Sequence, residues 1–479
     1  MESTDAEIIK GKIITGVFAL TSRTFVLQII AFAATFVLTV ILSPAIFGVY
    51  FVANAVISFL SYFSDVGLAA ALIQKKEEPT REELVTTFTI QQILVISIVI
   101  GALSLSSFFA KFYKLDSNGL FLLQALLISF FLSSLKTIPS ILIERRLEFK
   151  LLVIPQIIET LVFYLVTIIL ALFGMGVASF AWAAIARGIV GLLAIYIISP
   201  WRIGIGLSIN ASRHLLSFGL PFQANSILAL IKDDLLTIFL GKILPFSAIG
   251  YIGWAKKWAE TPLRLIMDSV IRVTFPAYSR LQEKKVLLSK TLEKSLFFLA
   301  FFIFPITAVL ILFIKPFIYL IPRYIKWEAA ITSFYLFAVA SILSAFSSPM
   351  INALNALGKI KTTLILMIVW TTMTWILVPI FISFFGFTGV AAAALIISLT
   401  SFLPMILMRK IIHFKIIAPI SKPLLATFIM SGFIFVSLSI TSNLPFMFVI
   451  GCLSVILYGV LTWITMRKEV LPYLSKLLK

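Results

Sequence analysis

Apolar runs recur along this chain, each continuous for about 20 to 30 residues and joined by loops too short to fold alone, and this pattern restricts its architecture more than any other. In hydrocarbon every backbone N–H and C=O must be satisfied within the chain, which leaves helices and closed barrels. A barrel strand needs about ten residues of alternating polarity, and the runs do not alternate. Composition agrees. The chain is 61% hydrophobic and 12% charged, about half the charge of a soluble domain, with a mean hydropathy of +1.11. The expected fold is an all-α polytopic membrane protein, neither a soluble globule nor a disordered segment.

Windows of about 20 residues mark about fourteen transmembrane helices, the first near 13–42, the seventh and eighth near 213–241 and 247–271, and the last near 445–466. The first is about twice as long as a signal-peptide core and no small-residue cleavage site follows, so it is expected to be retained. Most of the 39 Lys and Arg lie in loops that share one side if the N-terminus is cytoplasmic. The opposite side holds Lys111, Lys114, Lys242, Lys315, Arg323 and Lys326. That bias predicts a multi-pass protein of the cytoplasmic membrane with both termini inside and an even number of spans. A net charge of +19 scattered in this way reports topology and argues against a nucleic-acid partner. Cys452 is alone, and His214 and His413 lie in separate loops, so no disulfide, zinc cluster or thiol pair can be assembled and no cofactor or metal is expected. Thr80 and Glu83, behind Pro79, have the spacing of a capping box at the start of the third span.

Two stretches read alike. Leu38-Thr39-Val40-Ile41-Leu42 leads to Pro44, Gly48 and Tyr50, and Leu236-Thr237-Ile238-Phe239-Leu240 leads to Pro245, Gly250 and Tyr251. Six spans separate them, so the repeat is parallel. It predicts two six-helix lobes around a central cavity, an N-lobe at 1–205 and a C-lobe at 206–415, followed at 416–479 by two extra helices and a cytoplasmic tail.

An ionisable residue within a span costs at least about 2.5–3.5 kcal/mol and is expected to face protein or water. Matched depths pair Arg23 with Asp65, Lys136 with Glu159, and Asp233 with Lys256. Lys256, Glu260, Arg264, Asp268 and Arg272 follow one another at i, i+4 as a ladder of alternating sign. Arg187, mid-span, has no first-lobe carboxylate at its counted depth, and is read as meeting an anionic ligand, with Glu260 as the alternative partner. A guanidinium suits phosphate, whose oxygens it binds bidentately. The candidate cationic cavity is therefore Arg187, Arg23, Lys136, Lys256 and Arg264; Asp65, Asp233 and Asp234 are the candidates for ion coupling. No acidic pair in a large loop, Ser-His-Asp order or phosphate-binding loop is present, so a transporter is expected and not an enzyme.

The stretch Ser64-Asp65-Val66-Gly67-Leu68-Ala69-Ala70-Ala71-Leu72-Ile73-Gln74 resembles the Wzx-type oligosaccharide flippases of the multidrug/oligosaccharidyl-lipid/polysaccharide exporter superfamily. So do Asp233-Asp234-Leu235-Leu236, Gly241, Gly250, Tyr251, Pro262 and Phe275-Pro276-Ala277-Tyr278-Ser279-Arg280-Leu281-Gln282. The resemblance spans most of 13–415. It implies alternating access by two six-helix lobes and a polyprenyl-pyrophosphate-linked oligosaccharide as substrate, carried from inner to outer leaflet for cell-surface polysaccharide export. It also implies work beside a polysaccharide polymerase and glycosyltransferases, with lipid around a monomer. Relatives bind a cation through a seventh-helix carboxylate and polar groups of helices eleven and twelve; here Asp233 or Asp234 supplies the former, but helices eleven and twelve offer only hydroxyls such as Thr371, Thr372, Thr374 and Ser398. The coupling ion, Na+ or H+, is left open. The competing reading is a cation-coupled exporter of small amphipathic molecules.

Overall fold

The computed structural model describes residues 24–75, 77–224, 227–440 and 443–477. The chain divides into two compact units, 1–250 and 251–479. In the first, α1 (Thr24–Ile41) and α2 (Pro44–Ser61) lead to the short α3 (Leu68–Gln74). Then come α4 (Arg81–Ser104), α5 (Ser106–Tyr113), α6 (Ser117–Ser134), α7 (Thr137–Arg145), α8 (Phe149–Leu172) and α9 (Val177–Ile198). The unit ends with α10 (Ile209–Ala224), α11 (Ile227–Leu230), a π-helical turn (Ile231–Leu235) and α12 (Leu236–Ile243). Helix α13 (Phe246–Arg280) begins there and continues into the second unit, made of α14 (Lys285–Leu320), α15 (Ile331–Ala356), α16 (Ile360–Phe385), α17 (Thr388–Leu399), α18 (Leu403–Arg409), α19 (Ile417–Ile440) and α20 (Leu444–Leu477).

Twelve helical segments among the described residues are long and apolar enough to cross a membrane. The other two of the fourteen expected spans carry charge. Span 213–241 holds Lys232, Asp233 and Asp234 in a π-helical turn that runs directly into α12; span 247–271 lies on one long helix but carries Lys256, Lys257, Glu260, Arg264 and Asp268. Large apolar side chains such as Ile197, Phe384 and Phe448 stand three-quarters or more exposed, a surface suited to lipid and not to water.

Local chemistry sets the ends. At α4 the expected box forms: Glu83 N–H donates to Thr80 Oγ1 at 3.2 Å, and Thr80 N–H donates to Glu83 Oε2 at 2.8 Å. The two copies of the repeat close in the same way, Leu42 N–H donating to Leu38 O at 2.8 Å and Leu244 N–H to Leu240 O at 2.9 Å. They also touch. A Cβ added to Gly48 would overlap the Phe246 carbonyl, and one added to Gly250 would overlap the Pro44 carbonyl, so each glycine lets its helix cross the start of the other.

In the first unit α9 packs on α6 and α8 through small residues, with Ala181, Ala184, Gly188 and Gly191 buried along one face. Without a hydrophobic drive between helices in lipid, such small residues let backbones approach and gain dispersion contact. Leu68, Leu72, Leu84, Phe88, Ile138, Ile141 and Leu215 fill the space among α3, α4, α7 and α10. In the second unit Leu292, Leu296, Leu299, Ala300 and Ile303 of α14 pack with Met350, Ala353 and Leu354 of α15 and Met408 of α18. Helices α19 and α20 join through Met430, Ile434 and Ile450, and Tyr458 OH donates to Phe301 O at 2.8 Å, tying α20 to α14.

Candidate functional site

Lys136 immediately precedes α7 at its break from α6, and Glu159 and Arg187 lie near the midpoints of α8 and α9. The breaks and lengths of these helices bring the three together. Lys136 Nζ donates to Glu159 Oε1 at 2.7 Å, and Arg187 Nε lies 3.6 Å from Glu159 Oε2. The side chains of Lys136 and Glu159 are 14% and 9% exposed, that of Arg187 50%. At 3.6 Å the Arg187 contact is an ion pair and not a hydrogen bond. The Phe163 ring, one turn after Glu159 on α8, lies 5.9 Å from the guanidinium Cζ to its centroid.

These residues line a cavity of about 380 Å³ with Ser140, Gln156 and Thr160 as further polar groups and Leu27, Leu152, Pro155 and Ile195 as its apolar wall. Two cations share one carboxylate, so the cavity holds one positive charge in excess. That excess is carried by Arg187, which lines the cavity and is half exposed. The arrangement can accept an oxyanion bidentately, with hydroxyl and amide groups beside it for a hydroxyl-bearing ligand.

The sequence-based depth count missed the Glu159–Arg187 contact: it left Arg187 without a carboxylate partner in the first lobe, and the structure corrects this. Counting from approximate span ends placed Glu159 too shallow, whereas α8 and α9 bring the midpoints of two antiparallel helices level. Gly191 was also missed. It sits one turn beyond Arg187, and a Cβ there would overlap Glu159 Oε1, so its missing side chain is the seat of the carboxylate. A small residue at i+4 from an intramembrane arginine was the available signal.

Arg23 lies outside the described residues. Asp65 turns back on its own chain, accepting from Ala69 N–H at 3.1 Å and starting α3. There Val66 (φ 49°) and Gly67 (φ 76°) both take the left-handed conformation, which glycine adopts without strain and valine does not. Gly67 closes against Gly219 so tightly that neither could bear a Cβ, and Tyr62 and Gln223 exchange hydrogen bonds beside it, Gln223 Nε2 donating to Tyr62 O at 2.6 Å. Asp233 and Asp234 occupy the π turn of the seventh span. Lys256 and Arg264 belong to the second unit, where Arg264 Nη2 donates to Glu260 Oε2 at 2.8 Å. That forms one rung of the expected ladder; the side chains of Asp268 and Arg272 are outside the described set.

Comparison with known proteins adds to this geometry. The polysaccharide biosynthesis protein family matches residues 37–331. A membrane protein encoded in the cps region of Klebsiella pneumoniae is 25% identical over 352 residues, covering 72% of this chain and 70% of that one. The lipopolysaccharide biosynthesis protein WzxC of Escherichia coli (strain K12) is 24% identical over 325 residues, 66% of this chain and 64% of its own. The succinoglycan biosynthesis transport protein ExoT of Rhizobium meliloti (strain 1021) is 23% identical over 260 residues, 54% and 52%. Among solved structures, the lipid II flippase MurJ in an inward closed conformation superposes with a TM-score of 0.74 at 18% identity, covering 94% of this chain and 99% of that one. An inward-facing multidrug-resistance MATE transporter does so with 0.61 at 17%, covering 82% and 98%. These two share the fold. The chain belongs to the polysaccharide biosynthesis protein family, as a multi-pass membrane transporter of the Wzx type within the multidrug/oligosaccharidyl-lipid/polysaccharide exporter superfamily.

Proposed function

We propose that this protein carries a polyprenyl-pyrophosphate-linked oligosaccharide from the inner to the outer leaflet of the cytoplasmic membrane, by alternating access of two lobes, with both termini in the cytoplasm. The observation that carries the reading is Arg187, half open on a polar cavity and only partly neutralised by Glu159. A pyrophosphate loses its hydration on entering the membrane, and a bidentate guanidinium in low dielectric replaces it. Ser140, Gln156 and Thr160 beside it suit sugar hydroxyls. Arg23, Lys136, Lys256 and Arg264 extend the cationic path in this proposal. Asp65, Asp233 and Asp234 are where a Na+ or H+ would act if transport is coupled. The names of the relatives from polysaccharide assembly support the same substrate class, and a polymerase and glycosyltransferases are the partners such a substrate requires.

The test is export in a strain whose only copy is Arg187→Ala or Arg23→Ala. Lipid-linked repeat units should accumulate on the inner leaflet, with the protein still present in the membrane. Normal surface polysaccharide in both strains would remove the cationic-cavity mechanism; drug sensitivity with surface glycan intact would replace it with export of small amphipathic molecules.

A further inference from the structure

Glu159 is an unexpected member of its cavity, a carboxylate set in a wall that is argued above to receive an anion. Lys136 alone, at 2.7 Å, would satisfy it as a structural counterion. Its second oxygen instead faces Arg187 at 3.6 Å, and Gly191 omits a side chain to seat the group between them. The two oxygens thus serve different cations, one tightly and one loosely. To a guanidinium, a carboxylate presents the same pair of oxygens that a phosphate does.

We infer that Glu159 is a built-in competitor for the phosphate oxyanion of the head group. In the empty cavity it occupies Arg187. When the head group enters, its phosphate takes Arg187 and Glu159 stays anchored to Lys136; when Glu159 returns, the head group is released. No bond is made or broken in the exchange. The device answers a requirement of any transport site, that binding be strong enough for entry and weak enough for exit. A guanidinium facing phosphate in low dielectric binds too well to let go without one. The inference rests on the anionic head group proposed above, and it makes Glu159 a positioning residue for Arg187.

The test is equilibrium titration of the purified full-length protein with inorganic pyrophosphate as probe. Glu159→Gln should bind it about tenfold more tightly than the parent, a change of about 1.4 kcal/mol, while exporting less polysaccharide. The gain should vanish in the double variant Glu159→Gln, Arg187→Gln. Glu159→Asp, one methylene shorter and unable to reach both cations, should tighten binding as well, and it keeps the inference testable if Glu159→Gln does not fold. Unchanged or weaker binding in the folded variants, or a gain that survives loss of Arg187, overturns the inference. A gain toward glucuronate and none toward pyrophosphate overturns the phosphate assignment. Normal export by Arg187→Ala would end the transport reading itself. Unaltered pyrophosphate binding by Glu159→Gln, with Arg187→Ala inactive, ends only the competitor.

Discussion

Gly191 on α9 and the Glu159 carboxylate on α8 occupy one space, the first lacking the atoms that the second brings. Gly191→Ala adds a Cβ onto Oε1. Alanine gains about 0.5–1 kcal/mol of helix propensity over glycine, but overpacking costs about 1–3 kcal/mol, and here it also disturbs a buried ion pair. The expected result is a lower thermal unfolding temperature. Pairing it with Glu159→Ala should show coupling of at least about 0.5 kcal/mol, as contacting residues do; additive losses would contradict the shared space.

Gly48 and Gly250 predict a second non-additivity. Each lies against a backbone carbonyl of the other copy of the repeat, Phe246 for Gly48 and Pro44 for Gly250, and a carbonyl cannot step aside as a side chain can. Gly48→Leu and Gly250→Leu should each force the two helix starts apart by an ångström or more, read as a longer distance between spin labels at Ser43 and Ser247. Once one has parted them, the other should add little. Two independent increments would mean that the contacts are separate.

The capping box gives a graded stability series. Thr80→Ala removes one N-cap bond and should cost about 1 kcal/mol, seen as faster hydrogen exchange in the first turn of α4. Glu83 closes the box and also accepts from Lys75 Nζ at 2.8 Å. Glu83→Ala should therefore cost more than Thr80→Ala, and equal effects would show that the Lys75 pair contributes nothing.

Arg145 is a mechanical fastener. Its fork donates to the Leu72, Lys75 and Glu77 carbonyls at 2.5, 2.7 and 2.6 Å, covering the C-terminal end of α3. Lysine keeps the charge but not the fork. Arg145→Lys should therefore expose the 74–79 segment to protease while leaving α4 protected. Cleavage no faster than in the parent would assign these contacts no holding role.

What could be read in advance was whatever depends on one helix at a time. The start of α4 was legible because Thr80 and Glu83 satisfy the backbone locally. The repeat was legible because the two copies close with the same bond. Lys136 and Glu159 were legible because they carry opposite charges at similar counted depths, and the long Lys136 side chain spans the remaining difference. Arg187 was not: its partner depends on how far α8 slides past α9, a tertiary quantity that Gly191 helps to set. The π turn of the seventh span was equally hidden, since hydropathy registers how apolar a segment is and not which carbonyl each N–H chooses. Asp65 was legible as a charge in an apolar run, but its bond to Ala69 N–H depends on the left-handed turn at Val66 and Gly67.

The π turn at Ile231–Leu235 carries one residue more than an α-helical register allows. The stretches on either side are therefore out of phase by about 100°, the rotation of one residue. Asp233 and Asp234 sit within that phase step. Should the slack migrate along the helix, their carboxylates would swing around its axis while the helix kept its hydrogen-bonded turns, a rotary motion that a straight seventh span could not make.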